Sequence, residues 1–300
     1  MDALLLGLLS ETPPAVATLR AWWEATADQR TRWPHTIERA LIGGALADRL
    51  GFAFASGYSE ALRALAPTHA HGITALCATE ETGNHPRAIQ TRLAPAGPGR
   101  YTLTGKKKWG TVASEASALL VVASVGEEAG KNRLRVVKVA ANAPGVTLVA
   151  SAAPFVPEIP HAEVELAGVE VTDADLLPGD GYDDYLKPFR TVEDLHVHGA
   201  LVGYLIGVAR RHAMDRSVIE PLVVLATTVH GLAHANPKSP ATHVALAGLI
   251  TLATRAVEAV EQAWAIPDEE HARWHRDRPL LKVASAARAA RRDKAWAELG

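Results

Sequence analysis

The first 64 residues repeat their apolar positions at helical spacing. Leu19, Trp22 and Trp23 share one stripe and Ile37, Ala40, Leu41, Ala45, Leu46 and Leu50 another, with Pro34 and Gly51 as punctuation. Ahead of them, MDALLLGLLSETPP predicts an amphipathic helix closed by Pro13 and Pro14; the acidic Asp2 and the lack of a basic leader argue against a signal peptide. Behind them, SGYSEALRALAP predicts a helix capped at Ser56 or Ser59 and stopped at Pro67. From Leu76 the apolar period shortens to that of a strand. Strands are predicted over Leu76–Thr79, Ala88–Leu93, Tyr101–Thr104, Ala118–Val125, Leu134–Ala140, Val146–Ala150 and His161–Leu166, separated by turns such as PAGPG, GEEAGKN and NAPG. After DADLLPGDG the helical period returns and stays. The pattern thus predicts an α+β chain in three segments. These are a helical domain over residues 1–75, a compact β barrel or sandwich over 76–179, and a helical bundle over 180–300.

Composition narrows this only a little. With 48% hydrophobic and 21% charged residues over 300 positions, the chain is an ordinary globular sequence able to bury a sizeable core. A net charge of -2 gives no global pull toward nucleic acid or an anionic membrane. The lone Cys77 excludes an intrachain disulfide and fits a reducing, cytoplasmic compartment; in its apolar strand it reads as a small buried hydrophobe. No segment reads as long enough to span a membrane.

Candidate chemistry concentrates between Leu76 and Thr111. LCATEETGNHP runs from a strand into a loop with Thr79, Glu80, Gly83, Asn84 and His85, and RYTLTGKKKWGT pairs an alternating strand with a turn expected at Gly105, just before Trp109. Hydroxyls, turn amides and one flat indole suit a planar, hydrogen-bonding ligand such as an isoalloxazine ring. The competing reading makes Trp109 a core residue and the loop a plain turn.

TEETGNHP followed by YTLTGKKKWGT resembles the middle domain of the acyl-CoA dehydrogenase family, whose pattern is a Thr-Glu loop ending Gly-Ser-Asp and then a strand with Gly-x-Lys-x-Trp-x-Thr. Gly105, Lys106, Lys108, Trp109 and Thr111 fit that pattern; the loop is one residue short, with Asn84 and His85 in place of Ser-Asp. HAEVELAGVEVTDADLLPGDGY is similar to the family's passage from its β domain to its last helices. The resemblance implies N-terminal helices, a central antiparallel β-barrel or sandwich and a C-terminal helical bundle. It also implies FAD as cofactor, an acyl-CoA-type substrate, an electron-transfer flavoprotein as acceptor, and a homodimer or homotetramer. Thr79, Glu80, Trp109 and Thr111 carry over as flavin contacts and Asn84 as a substrate contact.

The family needs one carboxylate base. Its commoner position, near the carboxyl end, has no counterpart here. The other, on the first long helix after the β domain, falls on Glu193 when counted back from Gly203. There a partly desolvated glutamate serves as a general base, its pKa raised toward the operating pH; equally, Glu193 and Asp194 fit the first turn of a helix opened at Thr191. Two turns that usually hold cofactor phosphate and adenine are replaced by HANPKSPATH and by the terminal AELG. That weakens FAD binding, with Lys238 only a partial substitute. The competing function is therefore a degenerate, non-catalytic homologue acting as a structural or partner subunit.

Elsewhere, His271 and His275 stand one helical turn apart beside Glu270 but lack a His-Glu-x-x-His order, and read as a solvated face. Lys282, Arg288, Arg291, Arg292 and Lys294 form a basic stripe opposite Leu281, Val283, Ala287 and Trp296. That predicts an amphipathic packing helix over a nucleic-acid surface.

Overall fold

In the computed structural model, which describes residues 1–83, 85–151, 153–265 and 267–300, the chain divides into two compact units. One joins Met1–Ala61 to Thr191–Gly300 and the other is Leu62–Arg190, so both outer helical segments of the sequence fall in one unit.

The helical unit contains α1 (Asp2–Leu8), α2 (Leu19–Ala25), α3 (Ala27–Thr31), α4 (Thr36–Ala45) and most of α5 (Leu50–Leu65). After the β unit it continues with most of α6 (Lys187–Arg211) and with α7 (Arg216–Leu232), α8 (Pro240–Ala263), α9 (Glu269–Asp277) and α10 (Ser285–Leu299). Local chemistry sets several starts: Thr18 Oγ1 accepts from the Ala21 amide, Asp215 Oδ1 from Ser217 and Asp268 Oδ1 from His271. The backbones of α4 and α6 meet through glycines. A Cβ on Gly44 would lie 1.9 Å from the Ala200 carbonyl oxygen, and one on Gly203 would lie 2.0 Å from that of Leu41.

Two helical expectations change. α5 runs straight through Gly51, Ser56 and Ser59, because Phe52, Ala53, Ala55 and Leu62 give it a continuous buried face that outweighs local capping preference. On α10 the inward face is the basic one: Arg288 Nε and Arg291 Nη2 reach the Asp194 carboxylate on α6 at 2.8 and 2.5 Å, while Val283 and Trp296 are exposed. A buried carboxylate needs compensating charge, and that outranks the apolar stripe. In α8, which is long and apolar enough by length and composition to cross a membrane, only 28% of the most apolar window is buried. The sequence expectation that no segment reaches that length is corrected accordingly.

The β unit holds β1 (Thr74–Cys77), β2 (Arg92–Gly97), β3 (Arg100–Thr111), β4 (Ala118–Glu128), β5 (Lys131–Ala140), β6 (Val146–Ser151) and β7 (His161–Thr172). Among the described residues they form a seven-stranded sheet, ordered β1-β4-β2-β3-β7-β6 with β5 on β4. Pairing is antiparallel except where β1 runs parallel to β4 and β2 meets it at Arg92↔Ser124. The predicted strand over Ala88–Leu93 begins later, at Arg92, because Pro86 starts a 3-10 turn over Pro86–Ala88 capped by His85 Nδ1.

The turn expected at Gly105 does not form: β3 runs straight through it, and a bulge lies opposite on β7, where Ala167 and Gly168 together face Thr104. Register with β7 shifts between Leu103 and Gly105, and the strand continues to Thr111. Thr91 passes so close that a Cβ on Gly105 would lie 2.6 Å from its Cα. Gly105→Ala is expected to cost about 1–3 kcal/mol in denaturant titration, the usual penalty of forced overpacking. An unchanged midpoint would show that the Thr91 segment ahead of β2 moves aside freely.

Candidate functional site

β1 leads into the Thr79–Gly83 loop, and the far half of β3 lies beside it: the Lys108 amide donates to the Thr79 carbonyl oxygen at 2.8 Å. The loop closes on itself through paired Glu80 and Gly83 backbone hydrogen bonds of 2.9 and 3.0 Å. The structure therefore brings Thr79, Glu80, Trp109 and Thr111 together at one end of the sheet. Asn84 lies outside the described residues.

The Glu80 side chain turns inward. Its Oε1 takes the Lys107 ammonium at 2.6 Å and the Thr91 amide at 3.0 Å, and its Oε2 takes the Gln90 amide at 2.7 Å. Lys107 is fully buried and also reaches the Ala78 carbonyl oxygen at 3.4 Å. Burial pushes the Glu80 pKa up, but the Lys107 and backbone hydrogen bonds outweigh it, and the net direction is down. For Lys107, burial dominates and pulls the pKa below the usual lysine value despite Glu80. The pair fastens the loop to β3 and to the Gln90–Thr91 stretch just ahead of β2. Lys107 is the residue that sequence reading missed. Its one signal is parity, since it shares the inward phase of β3 with Leu103 while Lys106 points out.

Trp109 is not core. A second register shift, between Lys107 and Gly110, reverses the alternation and leaves the indole 56% exposed. Its φ is +57°, a left-handed conformation that bulky residues rarely adopt and that a structure keeps where surroundings enforce it. Thr111 follows half-buried, paired in register with His161, whose imidazole bonds the Ile159 carbonyl oxygen through Nδ1 at 3.0 Å. Burial lowers the His161 pKa and favours the neutral ring. Burial also pushes the Cys77 thiol up to about 12, so Cys77 is the buried hydrophobe expected and no nucleophile. The strand end thus offers a flat aromatic face, two threonines and backbone groups. It can bind a planar molecule but carries no activated nucleophile among the groups described.

Glu193 belongs to the helical unit. It is half-buried in α6, which begins at Lys187, so the explanation of Glu193 and Asp194 as a first turn opened by Thr191 does not hold. Asp194 is committed to Arg288 and Arg291. His196 bonds the Val192 carbonyl oxygen at 2.7 Å and Thr36 Oγ1 at 2.9 Å, and burial drops its pKa to about 4. Among the described residues no group of three or more His, Cys, Asp or Glu side chains is placed to hold a metal ion; His271 and His275 contact each other at 3.0 Å.

No protein-family model matches the sequence, and no curated protein matches it either. Solved structures do match. A protein described as an FAD-dependent dehydrogenase aligns over 100% of this chain and 97% of its own, with a TM-score of 0.74 and 15% identity. Butyryl-CoA dehydrogenase from Megasphaera elsdenii aligns over 98% and 88%, with a TM-score of 0.68 and 15% identity. FkbI, for biosynthesis of the methoxymalonyl extender unit of Fk520, aligns over 88% and 84%, with a TM-score of 0.69 and 19% identity. Such identities speak to architecture, and the architecture of this chain is the acyl-CoA dehydrogenase fold.

Proposed function

We propose that this chain is a flavin-dependent oxidoreductase that dehydrogenates an acyl thioester between the two carbons next to its carbonyl. The observation that carries the reading is Trp109, an indole held exposed on a left-handed backbone at the strand end beside Thr79 and Thr111. Trp109 packs against the ring of FAD, and the two threonines bond its polar edge. The Glu80–Lys107 pair holds the loop that carries Thr79. The flavin, when bound, supplies a two-electron acceptor. Glu193 takes the proton from the carbon beside the thioester, Asn84 contacts the substrate, and an external electron-transferring flavoprotein receives the electrons. The solvent-facing part of α8, with exposed Leu252, and exposed Val224 on α7 support a homodimer or homotetramer. Cys77 as a buried thiol fits a cytoplasmic location.

A second reading, a non-catalytic structural or partner subunit with this fold, is favoured by the α7–α8 turn. There Asn236 Oδ1 accepts from the Lys238 amide at 2.9 Å, and the segment has no arginine to grip phosphate. The visible spectrum of the purified protein separates the two. Under the first reading the protein is yellow, or binds added FAD with a rise in melting temperature, and Trp109→Ala weakens that binding about tenfold through lost ring packing. A colourless protein that FAD does not stabilise gives the second.

A further inference from the structure

The helical unit contains a groove of about 640 Å³ that runs along α8 between α6 and α10, with the Arg278–Lys282 turn at one side. Its volume is that of a small-molecule site. His243 and Glu261 mark its ends on α8, which gives a length of about 27 Å at the helical rise. The two long walls differ. The α8 wall is apolar through Ile250, Ala253 and Val257, and the facing wall is basic through Lys282, Arg288, Arg291 and Arg292.

Five basic side chains, Arg278, Lys282, Arg288, Arg291 and Arg292, line the groove against two carboxylates, Glu258 and Glu261. Asp194 supplies one carboxylate to two guanidiniums, those of Arg288 and Arg291. Arg278 is matched by Glu261 at 2.9 Å and Arg292 by its neighbour Asp293 at 2.7 Å, while Glu258 stands exposed on the apolar helix. The floor carries one more polar group. His198 is 7% exposed, and its Nδ1 donates to the Asp194 carbonyl oxygen at 2.6 Å. Burial outweighs the opposing Asp194 charge and, with the Arg288 and Arg291 charges, lowers the His198 pKa and favours the neutral ring; with Nδ1 donating, Nε2 is the acceptor nitrogen of a ring that lines the groove. A water-filled groove gains nothing from such an arrangement. An elongated apolar body buries the α8 wall, and an oxyanion on it meets the guanidinium and ammonium groups of the basic wall.

We propose that this groove binds an amphiphilic oxyanion: an unbranched apolar chain with a single carboxylate or phosphate head, lying along α8 with the head on the basic wall. The site lies within the helical unit and does not depend on the flavin reading.

Isothermal titration of the full-length protein with decanoate and with decyl phosphate tests it, with decanol as the uncharged control. Both anions are expected to bind saturably, one per chain, with affinity falling as salt rises, and the tighter of the two identifies the head group. Decanol should bind at least about tenfold more weakly. Lys282→Glu with Arg292→Glu reverses two exposed charges that do not hold Asp194. This variant should lose about tenfold in anion affinity and leave decanol unchanged. Thr254→Trp places an indole in the groove from an exposed position on α8 and should abolish binding, with the circular dichroism spectrum and melting temperature retained. Decanol binding as tightly as the anions, unchanged affinity in a folded Thr254→Trp variant, or no saturable heat would each overturn the proposal. If Thr254→Trp instead abolishes self-association while no probe binds, the groove belongs to a second copy of the chain.

Discussion

Lys107→Met is expected to destabilise the β unit by about 3–5 kcal/mol, read as a lower denaturant midpoint at unchanged slope. The pair it breaks is among the most completely buried in the chain: Lys107 is 0% and Glu80 8% exposed. Methionine fills the aliphatic volume, so the loss comes from stranding the Glu80 carboxylate with only the Gln90 and Thr91 amides as partners. Glu80→Gln strands the Lys107 ammonium instead and keeps one oxygen for a single amide, so a loss of similar size is expected. The double variant should cost less than the two singles added, because no unpaired charge remains; this coupling is what a double-mutant cycle measures. The pH dependence has a definite sign. Glu80 has a lowered folded pKa, so its contribution is complete above about 4.3 and is lost as pH falls through the folded value. Lys107 is also lowered, so the cost of burying its charge is relieved as pH rises from its folded pKa toward about 10.4, and stability increases there too. Single-variant losses under about 1 kcal/mol, or additive ones, would show that the pair is dispensable for the loop.

The legibility of this chain follows the range of the interaction involved. Helix and strand content are local, and the change of apolar period at Leu76 marks the start of the strand-rich region, with β1 at Thr74–Cys77. The fold is legible through Gly105, Lys106, Lys108, Trp109 and Thr111, which match the family's strand pattern in order. The orientation of Trp109 is not legible: it depends on where β3 slips against β7, a strand some fifty residues later by sequence count, and one slip reverses the face. Lys107 hides for a related reason. A run of three lysines reads as solvated surface until the partner, Glu80, is brought beneath it by the sheet. α10 makes the same point in the helical unit. Its apolar stripe looks like the packing face, yet Asp194, distant in sequence, draws Arg288 and Arg291 inward and leaves Trp296 in solvent. Glu193 is different again. α6 is readable from its period, but its start at Lys187 follows from a π-helical segment over Gly181–Leu186, for which periodicity gives no cue.

That earlier start gives the second prediction its force. With Glu193 inside α6 and not at its first turn, neutralising its charge leaves helix capping untouched. Glu193→Gln is nearly isosteric, so FAD absorbance is expected to match that of the native protein. The rate at which an acyl thioester bleaches the flavin under anaerobic conditions should fall about 10²–10⁴-fold, the usual contribution of a positioned general base. A stopped-flow panel of acyl-CoA thioesters supplies the measurement, and the loss should appear in the maximal rate, with little change in half-saturation, since the carboxylate acts on the proton in flight and not on the bound ground state. Glu193→Asp keeps the acid but withdraws it by one methylene and should recover part of the rate. If bleaching proceeds at the native rate in Glu193→Gln, the base is another group and α6 contributes only structure. If a flavin-loaded native protein is bleached by no thioester, the dehydrogenation reading fails while the flavin platform at Trp109 stands.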